Sequence, residues 1–124
     1  MKILLIDDDA DLLEMTGRRL RKKGVTVIAV SDLTQARAAF DAPGAGFDGV
    51  VSDLFLAEEN GLTFFEHTLA TGFDGVFVLV TGDEDGDPRV RPFRQAHSHF
   101  HCLQKPYSLD ALLEVLGTRE ERSA

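Results

Sequence analysis

The chain is poor in the residues that staple, anchor or bury unusual folds. It has one cysteine, Cys102, in 124 residues, so no internal disulfide can form and a reducing cytoplasm is the expected compartment. There is no tryptophan, and Tyr107 is the only tyrosine beside nine phenylalanines. Long apolar runs are missing too. After Met1-Lys2, the stretch Ile3-Leu4-Leu5-Ile6 gives way at once to three aspartates, which excludes a secretory signal of the usual pattern. No segment approaches the ~20 apolar residues that span a bilayer, so no membrane role is expected. Positive charge is also short: thirteen basic against twenty-one acidic side chains give a net charge of −8. That balance repels nucleic-acid phosphates and argues against a nucleic-acid partner.

What is present is a regular alternation. One domain is the expectation for this length. Short apolar runs alternate with longer amphipathic stretches, the pattern of a parallel α/β sheet. Strands are expected at Ile3–Ile6, Val25–Val30, Val50-Val51 running on to Asp53, Gly75–Val80 and, shorter and less apolar, near His101–Gln104. Between them, Ala10–Lys23 reads as a helix with Leu12, Leu13, Met15 and Leu20 inward and Gly24 as its stop. Ser31 is placed to cap a second helix through Phe40, and Gly61 to open a third carrying Leu62, Phe64, Phe65 and Leu69. Ser108 heads a last helix, with Leu109, Leu112, Leu113 and Leu116 on one side and Gly117 at its end. Gly82–Phe100 is the least regular stretch, an acidic run followed by Pro88 and Pro92, so a fourth helix there should start late and be short or broken. The reading is a domain over residues 1–118 and a polar tail over 119–124.

The polar residues fall at the strand ends. Asp7, Asp8 and Asp9 follow the first strand, Asp53 ends the third, Thr81 follows the fourth and Lys105 the fifth. In a doubly wound sheet such ends gather at the switch point, where ligands bind. Clustered carboxylates demand a counter-charge, and a hard divalent cation such as Mg²⁺ supplies it. A nucleophilic carboxylate, acidic metal ligands, a hydroxyl and a lysine form a coherent set for phosphoryl transfer.

These residues resemble the receiver domains of bacterial response regulators, the CheY-like family of two-component signalling. The resemblance covers Lys2 to Gly117 and rests on ILLIDDDADLL, VVSDLFLAEENGL, VFVLVTG and LQKPYSLDALLEVL in that order. It implies a five-stranded parallel sheet of order 2-1-3-4-5 with helices on both faces. It implies Asp53 as phosphoacceptor and Asp7 with Asp8 as the acidic pair for Mg²⁺, Asp8 directly and Asp7 through water. Phe55 would lend its backbone carbonyl to the metal, and Thr81 and Lys105 would bind the phosphoryl group. The Lys105-Pro106 bond resembles one that is usually cis in the family, and Asn60-Gly61 fits the turn before the third helix. A sensor histidine kinase or histidine phosphotransfer protein would supply the phosphoryl group, and a downstream protein would read the result; the domain is not an enzyme beyond its own phosphotransfer and slow hydrolysis.

The departures are specific. Leu56-Ala57, then Glu58-Glu59, stand where the family has Met-Pro or a similar pair, and Cys102 stands three before the lysine, where the family has the Tyr or Phe whose rotation reports phosphorylation. Two other readings therefore stay open: a pseudo-receiver that keeps the fold without the switch, and a haloacid-dehalogenase-like phosphatase using Asp7 as nucleophile and Asp9 as acid/base. Asp9 alone reads as a helix cap. His97, His99 and His101 read as exposed residues before an edge strand rather than zinc ligands, and His67 as an exposed helix residue. Asp83, two residues past Thr81, and Phe55 flank the same pocket and are candidates for setting phosphoryl lifetime.

Overall fold

A computed structural model describes residues 1–56, 59–82 and 88–118. The acidic run Asp83–Asp87, the pair Ala57-Glu58 and the tail 119–124 lie outside the described residues. In chain order the elements are β1 (Lys2–Ile6), α1 (Ala10–Lys22), β2 (Thr26–Val30), α2 (Leu33–Asp41), β3 (Gly49–Asp53) and β4 (Phe55–Leu56). Then follow β5 (Glu59–Asn60), α3 (Gly61–Ala70), β6 (Val76–Thr81), α4 (Arg91–Ala96), β7 (Phe100–Gln104) and α5 (Leu109–Leu116).

Five strands form one parallel sheet in the order β2-β1-β3-β6-β7, which is the expected 2-1-3-4-5 arrangement once the small hairpin is set aside. Of the three interior strands, β3 and β6 are buried at each position and β1 at all but its first, as continuous apolar runs should be. The hairpin of β4 and β5, which pairs Phe55 with Asn60 and Leu56 with Glu59, was not foreseen. Strands of two residues are too short to show a period.

Each face of the sheet has its own core. Ile3, Leu5, Val51 and Val78 meet Leu20 of α1 and Leu112 and Leu116 of α5. On the other face Leu4, Ile6, Val50, Phe77 and Leu79 meet Leu33 and Ala36 of α2 and Phe64 and Phe65 of α3. Phe65 is the hub of an aromatic cluster, with ring centroids 4.9 Å from Phe77, 4.6 Å from Phe100 and 5.7 Å from Phe93. Burying one such ring stabilises the fold by about 1.5–3 kcal/mol.

The helix ends follow local chemistry. Asp9 caps α1, its carboxylate accepting from the backbone N–H groups of Asp11 and Leu12. Asn60 caps α3 and Ser108 caps α5 in the same way. For α2 the cap is Asp32 and not Ser31: its carboxylate accepts from the Gln35 N–H at 2.8 Å, and a carboxylate is at least as good an acceptor there as a hydroxyl. Met15 is not inward either but 42% exposed. Leu13, Gly17 and Leu20, spaced i, i+4 and i+7, define the buried stripe of α1, and Met15 lies about 200° around the helix from Leu13. The fourth helix is short and late as expected, with six residues, Pro92 in its first turn and no side-chain cap.

The histidines correct the sequence reading. His97 and His99 precede β7 as expected and His101 lies within it, but all three are half-buried rather than exposed, with the His97 and His99 rings 5.2 and 5.6 Å from Phe65. Only His101 is on a strand, so the three do not share one strand face. His67 is half-buried as well, stacked on Phe64 and 2.9 Å from Asp41 across the α2–α3 contact.

Candidate functional site

Because the main sheet is parallel, the C-terminal ends of its strands share one edge. Asp7 follows β1, Asp53 ends β3, Thr81 ends β6 and Lys105 follows β7. The order reverses between β1 and β3, so Asp7 and Asp53 flank the crevice where such sheets bind ligands. Backbone ladders continue just past the strands and hold these residues. The Asp7 N–H donates to the Val30 carbonyl at 3.2 Å, Leu54 N–H to Val80 at 2.9 Å and Lys105 N–H to Thr81 at 2.7 Å. The turn after Lys105 is set by a cis bond to Pro106. Close approach fixes Gly61: a Cβ there would sit 2.5 Å from the Asp53 carbonyl oxygen and 2.7 Å from Leu79 Cδ1.

The side chains converge. Carboxylate oxygens of Asp7, Asp8 and Asp53 lie within 4.8 Å of one another, and this is the one group of three or more candidate metal ligands among the described residues. Asp7, Asp53 and Thr81 are buried while Asp8 is exposed. The Lys105 ammonium is 3.0 Å from Asp53 Oδ1 and 3.4 Å from Asp7 Oδ2. The other Asp7 oxygen accepts from the Asp9 N–H at 2.9 Å, which ties the start of α1 to the site.

Burial disfavours the Asp53 carboxylate, contact with the Asp7 carboxyl adds to this, and Lys105 only partly offsets them; its pKa is pushed up to about 7. Burial works against the Lys105 ammonium, but the hydrogen bond and charge of Asp53, with the charge of Asp7, outweigh it and hold its pKa above the ordinary lysine value. Three carboxylates thus face one ammonium, a deficit of positive charge in a site offering only oxygen donors. The donor set fits a hard divalent cation of the Mg²⁺ kind, which takes a few carboxylates and keeps waters.

Of the sequence candidates, Asp7, Asp8, Asp53 and Lys105 are brought into one cluster, and Thr81 stands on the same edge. Asp9 is committed to capping α1, so the phosphatase reading loses its acid/base. Phe55, in β4 of the hairpin, is 64% exposed. Asp83 lies outside the described residues. Cys102 sits in β7 opposite Leu79, half-buried against the aromatic core; burial pushes its thiol pKa up, with Arg94 opposing.

Sequence reasoning missed two further features. One is a cavity of about 490 Å³ lined by Leu12, Met15, Arg19 and Tyr107, with Asp7 and Lys105 in its wall. The off-stripe position of Met15 was the available signal. The other is Arg89, whose guanidinium lies over the Phe55 ring, 5.7 Å from its centroid. Nothing in the spacing of a loop arginine could have shown that contact.

Comparison with known proteins agrees with this geometry. Residues 3–117 match the response regulator receiver domain family. The C4-dicarboxylate transport transcriptional regulatory protein DctD of Rhizobium meliloti is 32% identical over 97% of this chain, which spans 25% of that protein. The sensor kinase CckA of Brucella abortus is 34% identical over 97% of the chain, which spans 12% of that protein. A response regulator receiver domain protein from Clostridium thermocellum superposes with a TM-score of 0.84 at 24% identity, covering 98% of this chain and 95% of that one. The chain belongs to the response regulator receiver domain family, whose members are signalling modules and not classical enzymes.

Proposed function

We propose that this chain is a phosphorylation-switched receiver in which Asp53 accepts a phosphoryl group from a histidine kinase or histidine phosphotransfer protein. The observation that carries the reading is the Lys105 ammonium bonded to Asp53 inside a cluster of three carboxylates at the strand ends. An oxygen of the ionised Asp53 carboxylate attacks phosphorus. The bond from phosphorus to the donor's imidazole nitrogen breaks as the new O–P bond forms, and the imidazole leaves with the electron pair. Lys105 shifts its hydrogen bonds to the phosphoryl oxygens, and the Thr81 hydroxyl donates to one of them. Asp7, Asp8, Asp53 and the Phe55 carbonyl would hold Mg²⁺. The cation supplies charge neutralisation, both for the ionised carboxylates and for the phosphoryl oxygens.

Relatives with such a domain include a transcriptional regulator and a sensor kinase. A kinase or phosphotransfer partner upstream and a protein–protein contact downstream fit both contexts. The net charge of −8 fits a domain that works in the cytoplasm without binding nucleic acid or membrane itself.

The test uses acetyl phosphate with Mg²⁺ and intact-protein mass measurement. One phosphoryl group should add to the wild-type chain and none to Asp53→Asn. No gain in the wild type, or a gain that survives in Asp53→Asn, ends this reading.

A further inference from the structure

Two stripes run along α1. Leu13, Gly17 and Leu20 face the core. Leu12, Met15, Thr16 and Arg19, spaced i, i+3, i+4 and i+7, share a second face within about 100° of arc. The core does not need that face, and Met15 on it is 42% exposed. Opposite stand Pro106 and Tyr107, in the turn after β7, and Leu109, the first residue of α5. All of these line the cavity of about 490 Å³, a volume within the range that holds small ligands.

The cavity runs from the strand-end edge along the helix. Asp7 and Lys105 belong to its wall at that edge, while Arg19 stands seven residues, or about 10 Å, beyond Leu12 along the α1 axis. The two cations of the lining differ. Lys105 is committed to Asp53 and Asp7. Of the arginines in this part of α1, Arg18 pairs with Glu14 at 2.7 Å and Arg21 donates to the Val27 carbonyl at 3.0 Å. Arg19 makes no hydrogen bond or ion pair among the described residues. Helical side chains lean toward the N-terminus, which carries a long Arg19 side chain back over the Met15 turn. The uncommitted charge of an otherwise largely apolar cavity is therefore a guanidinium, whose planar fork matches a carboxylate. A thioether at Met15 and a ring at Tyr107 favour an aromatic body beside that carboxylate.

We propose that this cavity binds a small aromatic carboxylic acid, with its ring between Met15 and the Pro106-Tyr107 turn and its carboxylate on Arg19. The site is distinct from the acceptor and does not depend on the phosphoryl-transfer reading.

The test uses 4-phenylbutyrate, 4-phenylbutanol and 4-phenylbutylamine, which carry one apolar body with a negative, neutral and positive head. Each is titrated into the full chain while NMR follows the Met15 methyl and Tyr107 ring signals. The acid should saturate both signals with a Kd of about 1 mM or tighter. The alcohol should bind about fivefold more weakly, and the amine more weakly still. Arg19→Gln should weaken the acid about fivefold and erase its advantage over the alcohol, and Arg19→Lys should restore part of it. Met15→Ala, read at Tyr107, should weaken acid and alcohol alike, because it removes apolar contact common to both. Asp53→Asn should bind the acid as the wild type does. No response to the acid, equal binding of the three probes, or undiminished binding in Arg19→Gln overturns the site. Loss of binding in Asp53→Asn overturns it too, by placing the anion at the acceptor. So does movement of the Met15 signal with protein concentration alone, which would give this face to a second copy of the chain. Each of these failures leaves the receiver reading standing.

Discussion

The acceptor edge and the α4–β7 face are built on the same strands in opposite styles. At the C-terminal ends of β6 and β7 the chain supplies Thr81 and Lys105, and the latter reaches two carboxylates within 3.4 Å. Along the sides of those same strands contact is apolar. Phe77 and Phe100 stack 5.9 Å apart, Cys102 lies opposite Leu79, and α4 contributes no fully buried residue. The first region is specified by a few directional contacts between groups that cannot be exchanged. The second is specified by volume, where a cysteine can replace a larger side chain if neighbours fill the space. The difference teaches that contacts at the strand ends tolerate little change while volume along the strand sides can be refilled.

The largest expected effect comes where α3 packs against both regions. Gly61→Ala pushes a methyl group into the Asp53 carbonyl and Leu79 at distances below 3.0 Å. We expect a loss of about 3 kcal/mol in denaturant unfolding, together with impaired phosphorylation, since the carbonyl that must yield belongs to the acceptor. Full stability in that variant would show that α3 can slide away without cost. Lys105→Met acts on the acceptor edge alone. It should slow phosphoryl uptake from acetyl phosphate by about 10²-fold, the usual effect of losing one preorganised charge, while near-ultraviolet circular dichroism of the aromatic core is unchanged. A loss below threefold would remove Lys105 from the transfer.

The pH dependence is smaller and confined to the same edge. Asp53 has a folded pKa of about 7, above its unfolded value of 3.8. The folded state therefore binds the proton more tightly, and the stability this gives is present at low pH and lost as pH rises through about 7. In the metal-free protein the melting temperature should fall by about 5 °C between pH 5.5 and pH 8. Asp53→Asn, which mimics the protonated form, should flatten that slope and melt higher at pH 8. A slope that persists in Asp53→Asn would assign the titration elsewhere. Excess Mg²⁺ should also flatten it, because bound cation favours the ionised carboxylate.

The sequence made these two regions unequally legible. Strand ends and apolar runs are one-dimensional signals, so the parallel sheet and the gathering of Asp7, Asp8, Asp53 and Lys105 could be read from order alone. The β4–β5 hairpin could not, because its strands are two residues long. Met15 reads as inward when apolar residues alone are counted, because that count ignores Gly17, which is buried on the stripe it shares with Leu13 and Leu20. His97 and His99 read as exposed because nothing local reveals that Phe65, more than thirty positions earlier, forms a surface for them. Arg89 on Phe55 is the same kind of contact, made between segments distant in sequence and set by where their buried neighbours anchor them.

The smallest expected effect is the sharpest test of separability. Cys102→Tyr installs, three residues before Lys105, the kind of side chain the family carries there. Cys102 is half-buried rather than enclosed, so a ring has a path to solvent, and the strain should be about 1 kcal/mol or less. The backbone of β7 is held by its ladder to β6 from Phe77↔Phe100 to Thr81↔Gln104, so the position of Lys105 should not move. Phosphoryl uptake should therefore match the wild type within about twofold, a difference worth under 0.5 kcal/mol. The new ring should report the phosphorylated state by a change in its own fluorescence or side-chain NMR signals, distinguishable from Tyr107 in a Tyr107→Phe background. A tenfold loss of uptake would mean that β7 transmits the strain along its length to Lys105, and that the strand-end edge and the α4–β7 face are one unit rather than two.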